Sequence, residues 1–384
     1  MTCVTVQSSF YGRVENVPFN STANLWLAQE IAAVISSEVA SGAAKTAFSR
    51  HGEPAPTMGE GVFFQDSDGV SCLPHGYDAV VDTAKNATIY GSGGRGEAIL
   101  SGNGNLTFIA AHGSGTVVTG GGKNDIETGW GDRGSWLIAT GNGNDTIDAA
   151  GGGNDTIRPG GGWNVVTLGY GHDMVLLTGT DTVTASNGHD TVDATGGKSS
   201  FVAGGSAHIT FIGGSGSATI SGGCGSDTVY GGSGVLSVQG GTAGHNLLLA
   251  GTGLATLYGG GYGDQLFAQG SQAQYLAAAC GNETLSAAQS SGAVTLVGGG
   301  GQDTLIGGSG ADVFTFVNGC AGGTDVILNF DAGDKIDLVG FGKHAVAEAL
   351  ASQSVSNGAV TITLSDSTTI TFDGVSSLKH GNFV

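Results

Sequence analysis

From about residue 120 to residue 316 the aliphatic positions recur every nine residues, an interval that matches neither a helix face nor a simple alternating strand. The rhythm is plainest where GGGGQDTLI (298–306) is followed directly by GGSGADVFT (307–315). Further copies stand at GGGKNDIET (120–128), GNGNDTID (141–148), GGGNDTIR (151–158), GGCGSDTVY (222–230) and GGGYGDQLF (259–267), with slippages of one residue between some of them. GGSGSATIS (213–221), GGSGVLSVQ (231–239) and AGTGLATLY (250–258) keep the glycines and the aliphatic position but lack the acid. Roughly 21 units fit the stretch, with weaker echoes back to Ile89-Tyr90-Gly91.

Each unit divides its labour. The Gly-rich half supplies positive-φ backbone for a tight turn, and the last three residues form a short strand with one apolar side chain facing inward. One unit cannot bury that side chain alone, so units must coil and stack, each backbone pairing with the coils above and below. The pattern predicts an all-β, right-handed parallel β-solenoid or β-roll. At two units, or about 18 residues, per coil it makes ~10–14 coils and a rod of ~50–65 Å.

The ends depart from the rhythm and predict three parts: a segment at 1–77, the solenoid at 78–316 and a closing module at 317–384. Asn20-Ser21-Thr22 can cap a helix through LWLAQEIAAVISSEVASGAA, with Leu25, Leu27, Ile31, Val34 and Ile35 on one side and Gly42 near its stop. An irregular stretch with Pro54, Pro56 and Pro74 follows, holding a strand at Val62-Phe63-Phe64. An open solenoid end exposes unpaired strand edges, so this segment is expected either to cap that end or to dock the next copy of the chain. A short helix at Ala345–Ala351 and a hairpin at 359–373 are expected to cover the other mouth.

Composition narrows the possibilities. Glycine supplies 74 of 384 residues, yet no Gly-x-y triplet runs through the chain, which excludes collagen. With 39% hydrophobic residues and only five prolines, a packed core is expected rather than disorder. The net charge of −20, with only 12 Lys and Arg, argues against nucleic acid and against membrane insertion, and makes cations the natural partners. No run of 18 apolar residues occurs, and the start lacks the basic head and apolar run of a signal peptide. Cys3, Cys72, Cys224, Cys280 and Cys320 are odd in number and lack CxxC spacing, so buried or turn-lining thiols are expected. An intermolecular disulfide through Cys3 or Cys72 is the alternative, checked by a mass shift on reduction.

The nonapeptide GGxGxDxUx, matched closely by the tandem copies at 298–315, resembles the repeats-in-toxin (RTX), or hemolysin-type calcium-binding, proteins. DVFTF…DVILNFDAGDKIDLVGF (312–341) looks like that family's closing module, and AVTITLSDSTTITFDGVSSL (359–378) with Asn382-Phe383-Val384 like its terminus. The resemblance implies Ca²⁺ in the turns between coils. It also implies secretion directed from an uncleaved C-terminal end, hence an extracellular or cell-surface location.

The chemistry agrees. Ca²⁺ takes six to eight oxygens, and a Gly-rich turn exposes carbonyls while the acid after it adds a carboxylate. Consecutive units fall on opposite sides, so acids sharing a metal should stand about 18 residues apart. The expected pairs are Asp125 with Asp145, Asp155 with Asp173, Asp173 with Asp190, Asp264 with Glu283, and Glu283 with Asp303. Asp303 and Asp312 should look forward to Asp325 and to the Asp331/Asp334 loop. Between 194 and 258 only Asp227 keeps the acid, beside Ala207, His208, His245 and Asn246, which predicts metal near the ends and a largely metal-free middle.

No enzyme constellation is present: there is no HExxH or GxSxG, and the nine His are scattered, with His172 and His189 expected on the turn surface. The 77 residues before the repeats are too few for the catalytic domains that accompany them in some RTX proteins. A polysaccharide-binding face is the second class, but the outward residues are mixed, and Trp130, Trp136 and Trp163 make at most a local patch. The expectation is a secreted structural or adhesive solenoid, self-associating as a homo-oligomer or filament, partly stabilised by Ca²⁺.

Overall fold

The computed structural model describes residues 2–8, 13–20, 22–49, 61–73, 76–128, 133–319 and 323–384. Ser21, Pro54, Pro56, Pro74, Trp130 and Cys320 lie outside them. The chain forms two compact units, Met1–Phe201 and Val202–Val384, each a parallel β-solenoid of two facing sheets.

In the first unit the inward aliphatics line up coil by coil. Val80, Ile99, Val117, Ile138, Ile157, Val175 and Val192 stand in register along one sheet. Ile89, Phe108, Ile126, Ile147, Val166 and Val183 do the same along the other. All of them are fully buried. In the second unit Phe211, Val229, Leu248, Leu266, Leu285, Leu305, Ile327 and Phe372 form one column. Ile220, Val238, Leu257, Leu276, Leu296, Phe314 and Ile336 form the facing one. Each such side chain contributes about 1.5–3 kcal/mol by leaving water, so the column, repeated every coil, is the core.

Glycine is required where a turn stacks on the turn before it. Gly301 sits at φ +132° with its α-carbon against the Gly281 carbonyl, and Gly323 repeats the arrangement one coil later at φ +128°. A β-carbon at either site would run into that oxygen. Gly301→Ala is expected to destabilise the second unit by about 1–3 kcal/mol, read from the urea midpoint; an unchanged midpoint would mean the turn can open.

The solenoid begins earlier than the repeat suggests. Strand Lys45–Phe48 pairs parallel with Gly61–Gln65, and that strand with Ala79–Asp82, so coils start inside the segment expected to stand apart from them. Helix α1, Leu25–Ser41, follows an N-cap at Asn24 rather than at the expected Asn20-Ser21-Thr22, and ends at Gly42, which adopts φ +75°. Its start is fixed by Asn24, whose amide donates 2.6 Å to the carbonyl of Thr140.

This helix lies along the flank and not across the mouth. Leu27, Ala28, Ala32, Ile35 and Val39 pack with the hairpin residues Val4, Val6, Val17 and Phe19 onto the outward side of one sheet, where Phe64, Val81, Leu100, Val118 and Ala139 follow one another coil by coil. Val34 faces solvent, 57% exposed, although it was expected on the apolar side. Strand Ala79–Asp82 is therefore buried on both faces.

The helix and hairpin expected near the C-terminus are present in the second unit. Helix α2 spans Ala345–Ala351, and Ala359–Thr363 pairs antiparallel with Thr369–Phe372, which also extends the parallel ladder beside Thr324–Leu328. Cys3, Cys72, Cys224 and Cys280 are exposed free thiols, not buried ones, and Cys224 lines a turn, the other form expected. Trp136 is buried against Phe108 while Trp163 is 73% exposed, so these two share no patch.

Candidate metal-binding turns

Side chains alternate along a strand, so a residue two positions before the inward aliphatic also faces inward. That position holds Asp145 before Ile147, Asp155 before Ile157, Asp173 before Val175 and Asp303 before Leu305, and all four acids are buried. Asp125 stands next to Ile126 and must face out; it is exposed and registers with Thr146. Asn124 takes the inward place, so the slippage of one residue puts an amide, not the expected acid, beside Asp145.

These inward groups form columns. Each accepts the backbone N–H of the residue at the same place one coil earlier. In the first unit Trp136 donates to Asp155 at 2.7 Å, Asp155 to Asp173 at 2.7 Å and Asp173 to Asp190 at 3.2 Å. On the other side Asn124 donates to Asp145 at 2.8 Å and Asp145 to Asn164 at 3.0 Å. In the second unit Ile209 donates to Asp227 at 3.0 Å, Asp227 to Asn246 at 2.8 Å and Asn246 to Asp264 at 2.8 Å. The column continues from Glu283 to Asp303 at 2.9 Å and from Asp303 to Asp325 at 3.0 Å, while Gly263 donates to the longer Glu283 side chain. Opposite, Val294 and Asp312 donate to Asp312 and Asp334, each at 2.9 Å.

The structure thus brings together Asp155 with Asp173, Asp173 with Asp190, Glu283 with Asp303, Asp303 with Asp325, and Asp312 with Asp334. Asp264 and Glu283 are successive in their column, one acid per coil. Asp181 escaped the sequence reading because GTDTV (179–183) lacks the Gly pair, and the neutral rungs Asn124 and Asn164 escaped it because only acids were sought. The signal that finds all of them is an Asp, Glu or Asn two residues before the buried aliphatic.

One N–H satisfies one oxygen of a carboxylate and leaves the other. Asp173, Asp190, Asp227, Glu283 and Asp303 each keep a buried carboxylate oxygen with no hydrogen-bond partner among the described residues. Burial raises Asp173 to about 6, Asp227 to about 6 and Asp190 to about 7, the last helped by the charge of Asp173. Asp325 rises to about 7 and Asp334 to about 6 for the same reason, with nearby carboxylates adding to each. Glu283 is raised by burial and by its contact with Asp303.

A bound cation would remove that penalty. Among the described residues no three His, Cys, Asp or Glu side chains converge, so the cation must draw most of its oxygens from carbonyls. The stacked turns supply them: the oxygens of Gly153, Gly281 and Gly301 all point at the glycine of the next coil. Hard oxygens of both kinds beside unpartnered carboxylates fit Ca²⁺ and not a softer metal. Outside the acids a second row follows the turns: His172 accompanies Asp173 and His189 accompanies Asp190, both exposed, with their rings stacked at 5.2 Å.

Comparison with protein families returns one match, to the RTX calcium-binding nonapeptide repeat (4 copies), at residues 177–199, 210–235 and 290–315. No curated protein matches the chain. The matched segments contain Asp181, Asp190, Asp227, Asp303 and Asp312.

Proposed function

As this chain is an RTX-repeat protein, whose nonapeptide repeats bind calcium, we propose that it is a secreted structural or adhesive element, not an enzyme, which self-associates into oligomers or filaments. Among the described residues no helix is long and apolar enough to cross a membrane. The observation that carries the reading is an uncharged face on the second unit. Ile212, Tyr230, Leu249, Phe267, Ile306 and Leu328 follow one another on the outward side of one sheet, with Ser286 between Phe267 and Ile306. Beside them run Thr210, Thr228, Leu247, Gln265, Thr284 and Thr304.

A protein of net charge −20 that keeps such a face free of charge has removed the repulsion a second copy would meet there. In the first unit the outward row from Phe64 to Ala139 is sealed by α1 and the hairpin, so the chain itself shows that an apolar, uncharged stretch of this row takes a cover. Light scattering and electron microscopy in millimolar Ca²⁺ should show oligomers or filaments, and a Tyr230→Lys, Phe267→Lys double variant should be monomeric with unchanged circular dichroism. A wild-type monomer at high concentration would overturn self-association. Retention of that monomer on a polysaccharide column would favour the ligand-binding alternative.

A further inference from the structure

The columns contain stretches of two kinds, and the long column of the second unit, from Asp227 to Asp325, holds one of each. In one, acid follows acid: Asp155, Asp173 and Asp190, and Glu283, Asp303 and Asp325. In the other, Asn alternates with Asp: Asn124, Asp145, Asn164 and Asp181, and Asp227, Asn246 and Asp264. The asparagine amides make a repeated pair of bonds. Asn124 Nδ2 donates to Gly121 O at 3.2 Å in its own turn and to Asp145 Oδ1 at 3.0 Å one coil on. Asn164 Nδ2 donates to Gly160 O at 3.4 Å and to Asp181 Oδ1 at 2.7 Å. Asn246 Nδ2 donates to Gly241 O and to Asp264 Oδ1, both at 2.8 Å.

A turn carbonyl joined to the carboxylate of the next coil is the bridge a cation would make, here made by an NH₂ group. In Asp181 and Asp264 backbone N–H groups of the turn complete the arrangement: Gly179 donates to the second oxygen of Asp181 at 3.0 Å, and Gly260 and Gly261 to that of Asp264 at 2.8 and 3.2 Å, unlike those of Asp173 and Asp190. In the Asn-bearing stretches Asp145 and Asp227 each keep one oxygen unpartnered. An independent observation points the same way. An open groove of about 600 Å³ over these turns is lined by Lys123 and Lys198 together with Asn142 and Asn144, so basic side chains border the Asn-bearing turns.

We infer that Asn124, Asn164 and Asn246 set calcium occupancy turn by turn: their amides replace the ion, so the Asn-bearing stretches hold without calcium and only the acid-on-acid stretches take it. This deepens the calcium reading and is independent of self-association. The test is amide hydrogen exchange on the full chain, read residue by residue in calcium and in excess chelator. The N–H groups of Asn124, Asp145, Asp227 and Asn246 should be equally protected in both. Those of Asp155, Asp173, Glu283 and Asp303 should exchange at least tenfold faster in chelator.

Asn164→Asp, which restores an acid, should increase the calcium bound per chain by titration calorimetry and create a calcium-dependent rise in melting temperature of that region. Equal loss of protection in both kinds of stretch, or an Asn164→Asp protein that folds and binds no more calcium, would overturn the inference. If that variant fails to fold even in calcium, the exchange pattern of the unaltered chain decides alone. Should the repeats bind no calcium at all, no amide would respond to chelator, an outcome distinct from uniform loss.

Discussion

In excess chelator the protein should melt at a higher temperature at pH 5 than at pH 8. The cause is the buried acid columns. Asp173, Asp227 and Asp334 at about 6, and Asp190 and Asp325 at about 7, hold protons more tightly folded than unfolded, where a carboxyl titrates near 4. The folded state therefore binds more protons between pH 4 and pH 7. Its stability is fully present below the unfolded value and is lost as pH rises through 6 and 7.

Even discounted for partial solvent screening, several such groups sum to on the order of 5 kcal/mol, or roughly 10–20 °C. With millimolar Ca²⁺ the slope should invert, because the ion needs ionised carboxylates and protons displace it. Differential scanning calorimetry over pH 5–8 in both media checks this. A chelated protein whose stability climbs with pH would show that the unpartnered oxygens reach water.

Asp303→Asn should change sign with calcium. Without the ion, Glu283 and Asp303 are neighbouring buried carboxyls, both raised by burial, Glu283 further by Asp303. Neutralising one while keeping the acceptor for the Glu283 N–H should stabilise the chelated protein by about 1–3 kcal/mol. With calcium at a hundred times its dissociation constant, a site contributes about 2.7 kcal/mol, and the variant should lose most of it. Paired denaturation curves, with and without Ca²⁺, therefore cross between wild type and variant. A variant less stable than wild type in both media would mean that the carboxylates hold no shared cation.

The rhythm of nine made most of the fold legible, because the inward aliphatic and the glycine turn are local requirements that every coil repeats. Ile147, Ile157 and Leu305 could be placed from spacing alone. The acids were harder. A nine-residue ruler tolerates slippage, whereas facing inward depends on parity, and Asp125 has the right spacing with the wrong parity. Asp264 and Glu283 have the right parity, but a Glu reaches one bond further and meets Gly263 where an Asp would meet its own counterpart.

The flank position of α1 was not legible at all. It depends on Leu100, Val118 and Ala139 being apolar on the outward side, and a repeat reading assigns that side to solvent. The same inattention hides the row from Ile212 to Leu328, because outward residues have no place in a rule about the core.

The columns also have a direction. Every rung runs from an N–H to the side chain of the coil that follows in sequence, so a stack is not symmetric end to end. A coil joining from the N-terminal side brings a neutral donor to a carboxylate already held in place. A coil joining from the C-terminal side must carry a fresh charge out of water onto a waiting amide. Zippering is thus easier when it starts at the last coil and runs backwards along the chain, the order in which a polypeptide presents itself when its tail leads.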